Sequence, residues 1–194
     1  MSLHSFIVFL HAATAVIWIG ATFTLVYLAN RAVKARSDAD LAVIVKSMTH
    51  FSRTIIMPAS IIVLLLGLYL VFGVWNFFAF WILFGILGIA ATAVLNAMVL
   101  SPMLKDYEAT AGAAGAASEL MTRILAIGKL DLVILFVLLF DMVVKPNWGN
   151  FLTWPLMLII LGAAAFFFLP RDLLPGQTPL ERTREFTTDD DDDQ

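Results

Sequence analysis

The chain contains no cysteine. Disulfides, thiolate metal sites, iron–sulfur clusters and cysteine nucleophiles are therefore excluded. Charge is scarce as well. Only 14% of the 194 residues are charged and 61% are hydrophobic, whereas a soluble domain carries roughly a quarter charged residues. A soluble core of this size could not hide so much apolar surface, so lipid must solvate much of it. Regular apolar–polar alternation is missing too, which argues against a membrane β-barrel. No Lys or Arg precedes the first apolar stretch; the basic residues follow it. That is the reverse of a secretory signal, and the segment is expected to remain as a span.

What is present is a set of long apolar runs. A spanning helix needs roughly 20 mostly apolar residues, and five stretches qualify: about 6–29, 54–72, 78–100, 124–144 and 151–169. The fold class expected is all-α, a polytopic membrane helical bundle. Arg31, Lys34, Arg36, Lys46 and Arg53 follow the first run, Lys105 and Arg123 the third, and Arg171, Arg182 and Arg184 the fifth. Cytoplasmic loops are enriched in Lys and Arg, so the N-terminus is expected outside and the C-terminus in the cytoplasm. The transmembrane domain then covers about 1–170. The tail at 171–194, with its run of Asp at 189–193, reads as a disordered, solvated cytoplasmic extension.

The loops follow from the same pattern. Residues 32–53 mix charged and apolar side chains, which predicts a short amphipathic helix at the inner surface leading into span two. The outer loops, carrying Trp75 and Trp148, are short, so spans two and three are expected to pair as one hairpin and spans four and five as another. The Ala- and Gly-rich segment 109–117 reads as a flexible inner linker.

Polar residues inside the spans carry the functional interest, because placing them in hydrocarbon is costly. His11 lies about two turns into span one. His4 and Trp18, seven residues to either side, share its face, and Thr14 is close to it. His11 is a haem ligand or proton acceptor in one reading and a packing hydrogen bond to a neighbouring helix in the other. Span four carries Lys129, Asp131 and Asp141. Asp141 and Lys145 are four apart and can pair on one face; Asp141 and His11, at similar depth, could instead form an Asp–His couple. Lys129 can snorkel to the cytoplasmic surface. Asp131 needs a partner, with Arg53 or Asn96 the available choices, and a polar clamp between helices is the favoured reading. Gly85, Gly88, Thr92 and Asn96 give span three a small-residue stripe for close helix approach, and Gly20 with Thr24 offers span one a similar one. Pro58 sits in the first turn of span two, or kinks the helix if the surface helix runs into it. His50 reads as a solvated side chain.

Leu10-His11 followed by Val16-Ile17-Trp18-Ile19-Gly20 resembles the first helix of HemJ-type protoporphyrinogen oxidases and of copper-resistance D proteins. The stretch 53–67, with Arg53, Pro58-Ala59 and Gly67, resembles the second helix of the HemJ type. Met142-Val143-Val144-Lys145-Pro146 is most similar to a group of bacterial predicted integral membrane proteins of unknown function, distantly similar to the other two. The resemblance covers roughly residues 5–146. It implies a four-helix core, in a bacterial cytoplasmic (inner) membrane, and b-type haem with His11 as the matching ligand; the fifth helix and acidic tail are additions to that unit. Two departures stand against carrying over the oxidase activity. Phe78 to Trp81 contain no histidine at the start of span three, and Gly128-Lys129-Leu130-Asp131 replace an Asn-Glu-x-Pro stretch entering span four.

The residues limit haem further. His4 and His11 lie on one face of one helix, separated by about 10 Å, and cannot bracket one iron. A haem would be five-coordinate, His/Met with Met142 or Met157, or shared with another chain. Copper transport lacks Cys and a Met-rich motif. No metal site is expected. Three classes remain open: a noncatalytic membrane component (accessory subunit, assembly factor or scaffold), a b-haem or quinone-linked redox protein using His11, and a proton-coupled transporter using His11, Asp141 and Asp131. The first is favoured, because the polar groups are few and separated. Expected partners are the lipid bilayer and other membrane protein subunits, with no nucleic acid.

Overall fold

A computed structural model describes residues 2–34, 38–74, 78–110 and 114–169. The outer loop with Trp75, the centre of the inner linker at 111–113, and the acidic tail lie outside the described residues. No strand occurs among the described residues. The helices are α1 (Leu3–Lys34), α2 (Asp38–Phe51), α3 (Met57–Val74), α4 (Phe80–Val94), α5 (Ser101–Thr110), α6 (Ala114–Val144) and α7 (Thr153–Phe168). Two π-helical turns, Ser52–Ile56 and Leu95–Leu100, join α2 to α3 and α4 to α5.

Local chemistry explains these boundaries. Ser2 caps α1: its Oγ accepts the amide of Ser5 at 3.2 Å. Within α1 the threonines return their hydroxyls to the helix, Thr14 to Leu10 O, Thr22 to Trp18 O and Thr24 to Gly20 O, so no donor is presented to lipid. At the end of α6, Lys145 takes a left-handed φ of 49° and Pro146 follows, a stop normally made with glycine.

The π turns have a common cause. A proline inside a helix lacks its N–H and clashes with the carbonyl four residues earlier. Pro58 would meet Thr54, and Pro102 would meet Met98; both lie inside a π turn. The residue before each proline donates five residues back, Met57 N–H to Ser52 O and Ser101 N–H to Asn96 O. The wider turn makes room for the ring without breaking the rod.

As a result, α2 runs without a break through its π turn into α3, and α4 into α5. Three rods are long and apolar enough to cross a membrane: Leu3–Arg31, Val43–Gly73 and Phe80–Asp106. The chain is thus an all-helical membrane protein. α6 is as long but is interrupted by Lys129, Asp131 and Asp141, and α7 is a shorter apolar helix of 16 residues. The amphipathic helix expected before span two exists but is the lower part of one rod. Much of the expected linker at 109–117 is helical, ending α5 and opening α6.

α6 is the hub. It packs on α1, α4 and α7, while α1 also packs on α3. α6 contributes more of the tightly buried side chains than any other helix, among them Met121, Ile127 and Leu135. The small-residue stripe of α4 faces α6: Gly85 meets Met142, and Gly88 meets Leu138. Gly128 of α6 admits Val26 of α1. Gly20 faces open space, so the second predicted stripe is not used.

The expected packed hairpin of spans two and three does not form. α3 rests on α1 and α4 rests on α6, with hardly any close approach between α3 and α4. Short loops bring helix ends together; they do not dictate which faces pack. The arrangement has an amino end, where α1 begins, and a basic end, which carries Arg31, Lys34, Lys46, Arg53, Lys105 and Arg123.

Candidate functional site

Two polar regions occupy opposite halves of the bundle. In the amino half, His11 is half-buried against α3. Its Nδ1 donates to Val63 O at 3.0 Å, since the carbonyl can only accept. Gly67, one turn further along α3, makes this possible: a Cβ there would stand 3.1 Å from His11 Cε1. Asp141 is fully buried on α6, and neither carboxylate oxygen accepts a hydrogen bond. It faces α4, where a Cβ on Gly85 would stand 3.8 Å from its Oδ2 and 2.6 Å from Met142 Cε.

The amino-half polar groups are therefore not assembled. His11 is bonded to Val63 and the Asp141 carboxylate accepts no hydrogen bond, so there is no hydrogen-bonded Asp–His couple. Lys145 donates its backbone amide to Asp141 O at 2.8 Å, but its ammonium lies over the Trp81 ring, 5.3 Å from the centroid. His11 is directed at α3 and Met142 at α4, so this chain does not place the two around one iron. Within this chain the residues present do not supply the His/Met pair for a six-coordinate haem. His4 and His50 are exposed, and Met157 is buried on α7. Among the described residues, no cluster of His, Asp or Glu is arranged to hold a metal ion.

The basic half differs. Asp131 is buried on α6 and hydrogen-bonded by the Asn96 side chain from the second π turn. Asn96 Nδ2 also donates to Thr92 O at 2.8 Å. Of the two partners expected for Asp131, Asn96 is the one the fold supplies. Asp131 lines a small cavity of about 50 Å³, and its Oδ1 accepts no hydrogen bond within the protein; a water needs roughly 10–15 Å³ measured in this way. Lys129 extends toward the basic end, with its Nζ 6.0 Å from the Phe168 ring centroid.

Outside this clamp, the gap between α3 and α4 is a cleft of about 510 Å³. Trp18 forms part of its floor, and Ile56, Ile61, Leu64 and Ile89 line its walls. Arg53 and Lys105, both exposed, stand at its mouth. The small cavity and the cleft share Ser52, Ile56, Asn96, Leu100 and Leu104, so the residues of the two π turns separate one from the other. The sequence pattern pointed to Arg53 and Asn96 singly. It missed Lys105, Pro102 and the cleft. The available signal was the recurrence of a mid-helix proline near a basic residue in two successive rods.

The class that fold and site define is a polytopic helical membrane protein with a cleft open to the side. Comparison with protein-family models, with curated proteins and with solved structures finds no match to this chain.

Proposed function

We propose that this chain is a noncatalytic membrane component, an accessory subunit, assembly factor or scaffold, that works by binding within the bilayer. The supporting observation is the separation of its polar groups. His11 is bonded to a backbone carbonyl, Asp131 to Asn96, and the oxygens of Asp141 to nothing. Acid–base or ligand chemistry needs such groups within hydrogen-bond reach of one another or of a shared reactant. The proposed topology is five spans, α1, α3, α4, α6 and α7, with the amino end outside and the basic end in the cytoplasm. The clustering of six basic side chains at one end of the described helices supports that orientation. Residues 171–194 would then extend into the cytoplasm. The proposed relationship to the HemJ-type and copper-resistance D families stays with the four-helix unit α1, α3, α4 and α6. Other membrane proteins in a bacterial inner membrane are the proposed partners.

The test is gentle extraction of the full chain from its own membrane. The expected outcome is a stoichiometric complex with other membrane proteins and a visible spectrum without a Soret band. A lone chain showing a dithionite-reduced b-type band, abolished by His11→Ala, would replace this reading with a redox one. The absence of native cysteine makes topology directly readable: single cysteines at Ser2 and Asn147 should label from outside and one at Lys46 from inside.

A further inference from the structure

We infer that the cleft between α3 and α4 is a binding site for one anionic phospholipid drawn from the leaflet at the basic end. The inference rests on the proposal that this chain acts by binding, and it names the ligand. It starts from dimensions. From Arg53 to Leu64 the α3 wall rises by about 16 Å, and half of a bilayer's hydrocarbon core is about 15 Å. The cleft therefore runs from the interface to about the midplane, one leaflet deep. Its volume of about 510 Å³ suits one acyl chain of such a lipid, the other chain staying in the surrounding bilayer.

The chemistry of the walls agrees with an acyl chain. Polar side chains along them are engaged within the protein: Ser60 Oγ donates to Met57 O, Thr92 Oγ1 to Ile89 O, and Asn96 to Thr92 O and the Asp131 carboxylate. What remains facing the space is largely hydrocarbon, from Trp18, Ile61, Leu64 and Ile89. At the mouth the character changes. Arg53 approaches from the α3 side and Lys105 from the α4 side, with Ser52 and Ser101 beside them. A guanidinium, an ammonium and two hydroxyls around one opening suit a phosphodiester headgroup: Arg can hold it with two parallel bonds and Lys with a point charge. Arg53 lies within the first π turn and Lys105 just beyond the second, so both cations are carried on helical backbone.

The site is tested on the full chain, delipidated in mild detergent and exposed to phosphatidylglycerol or phosphatidylcholine, with lipid retention read by native mass spectrometry. Each interfacial basic residue favours an anionic lipid by roughly fivefold. Wild-type protein should retain one phosphatidylglycerol in preference to phosphatidylcholine, and Arg53→Gln with Lys105→Gln should reduce that preference by about thirtyfold. Ala93→Trp, an exposed cleft position that leaves both cations in place, should displace the lipid by filling its space. Equal retention of the two lipids by wild type would overturn the inference. So would undiminished phosphatidylglycerol retention in Ala93→Trp, because the cations would then be acting on annular lipid. A protein helix cross-linked into the cleft of gently extracted material, with no lipid retained, would overturn it too. Failure here with partner copurification intact would reject the lipid and leave the binding role standing.

Discussion

In the amino half of the bundle glycines let helices approach closely; in the basic half two prolines follow π turns that line an open cleft. Gly67 lets His11 reach the α3 backbone, and Gly85 and Gly88 let Met142 and Leu138 of α6 press against α4. Pro58 and Pro102 act on the backbone instead. Each shifts the preceding turn to five-residue pairing, and the two widened turns face a cleft that no helix of this chain fills. Inside a bilayer there is little hydrophobic force between helices, so close packing depends on small residues and polar contacts. Where helices do not meet, lipid or a partner is the natural filling.

Several substitutions bear on this contrast. The largest effect is expected from Gly88→Leu, because even a Cβ at this position would collide with Leu138. Overpacking of this kind costs about 1–3 kcal/mol. It should appear as a lower melting temperature in detergent, and an unchanged melting curve would mean that α4 and α6 are not closely packed.

The two buried carboxylates should respond differently. Asp131→Leu removes the partner of Asn96 and is expected to cost about 1–3 kcal/mol. Asp141→Leu removes a carboxylate that accepts no hydrogen bond, so stability should hold or rise. Equal losses at the two positions would show that Asp141 is held by something outside this chain.

The smallest effects are at the remaining glycines. Gly67→Ala should weaken the His11–Val63 bond, a loss of about 1 kcal/mol, visible as a shift of the His11 ring signals in NMR. Gly20→Ala meets nothing within 4 Å and should be neutral or raise stability by a few tenths of a kcal/mol up to about 1 kcal/mol. A marked loss at Gly20 would point to a partner helix seated there.

Much of the helix content was legible in the sequence, because apolar runs of spanning length leave few alternatives. The α4 stripe of Gly85, Gly88, Thr92 and Asn96 was legible too, since small residues at helical spacing mark a contact face. The identical signal at Gly20 and Thr24 misled: spacing shows that a face permits close approach, not that a neighbour arrives. The pairing of Asp131 with Asn96 was one of two choices in the sequence, and packing of α4 on α6 selected it. The amino-half couples involving Asp141 were judged from depth and spacing along single helices. Depth ignores rotation, and α6 turns Asp141 toward α4 while α1 turns His11 toward α3.

The sequence by itself determined that the chain is helical, that lipid surrounds much of it, and that most of its basic residues fall in segments at one end of the apolar runs. Those properties depend on composition and periodicity, which each segment carries alone. Tertiary structure decided that α6 is the hub, that α3 and α4 stand apart, and that Arg53 and Lys105 flank one opening. Those depend on which rotation and neighbour each helix adopts. In this fold a glycine or a proline settles that choice through its contact with a residue distant in the chain or through the turn before it.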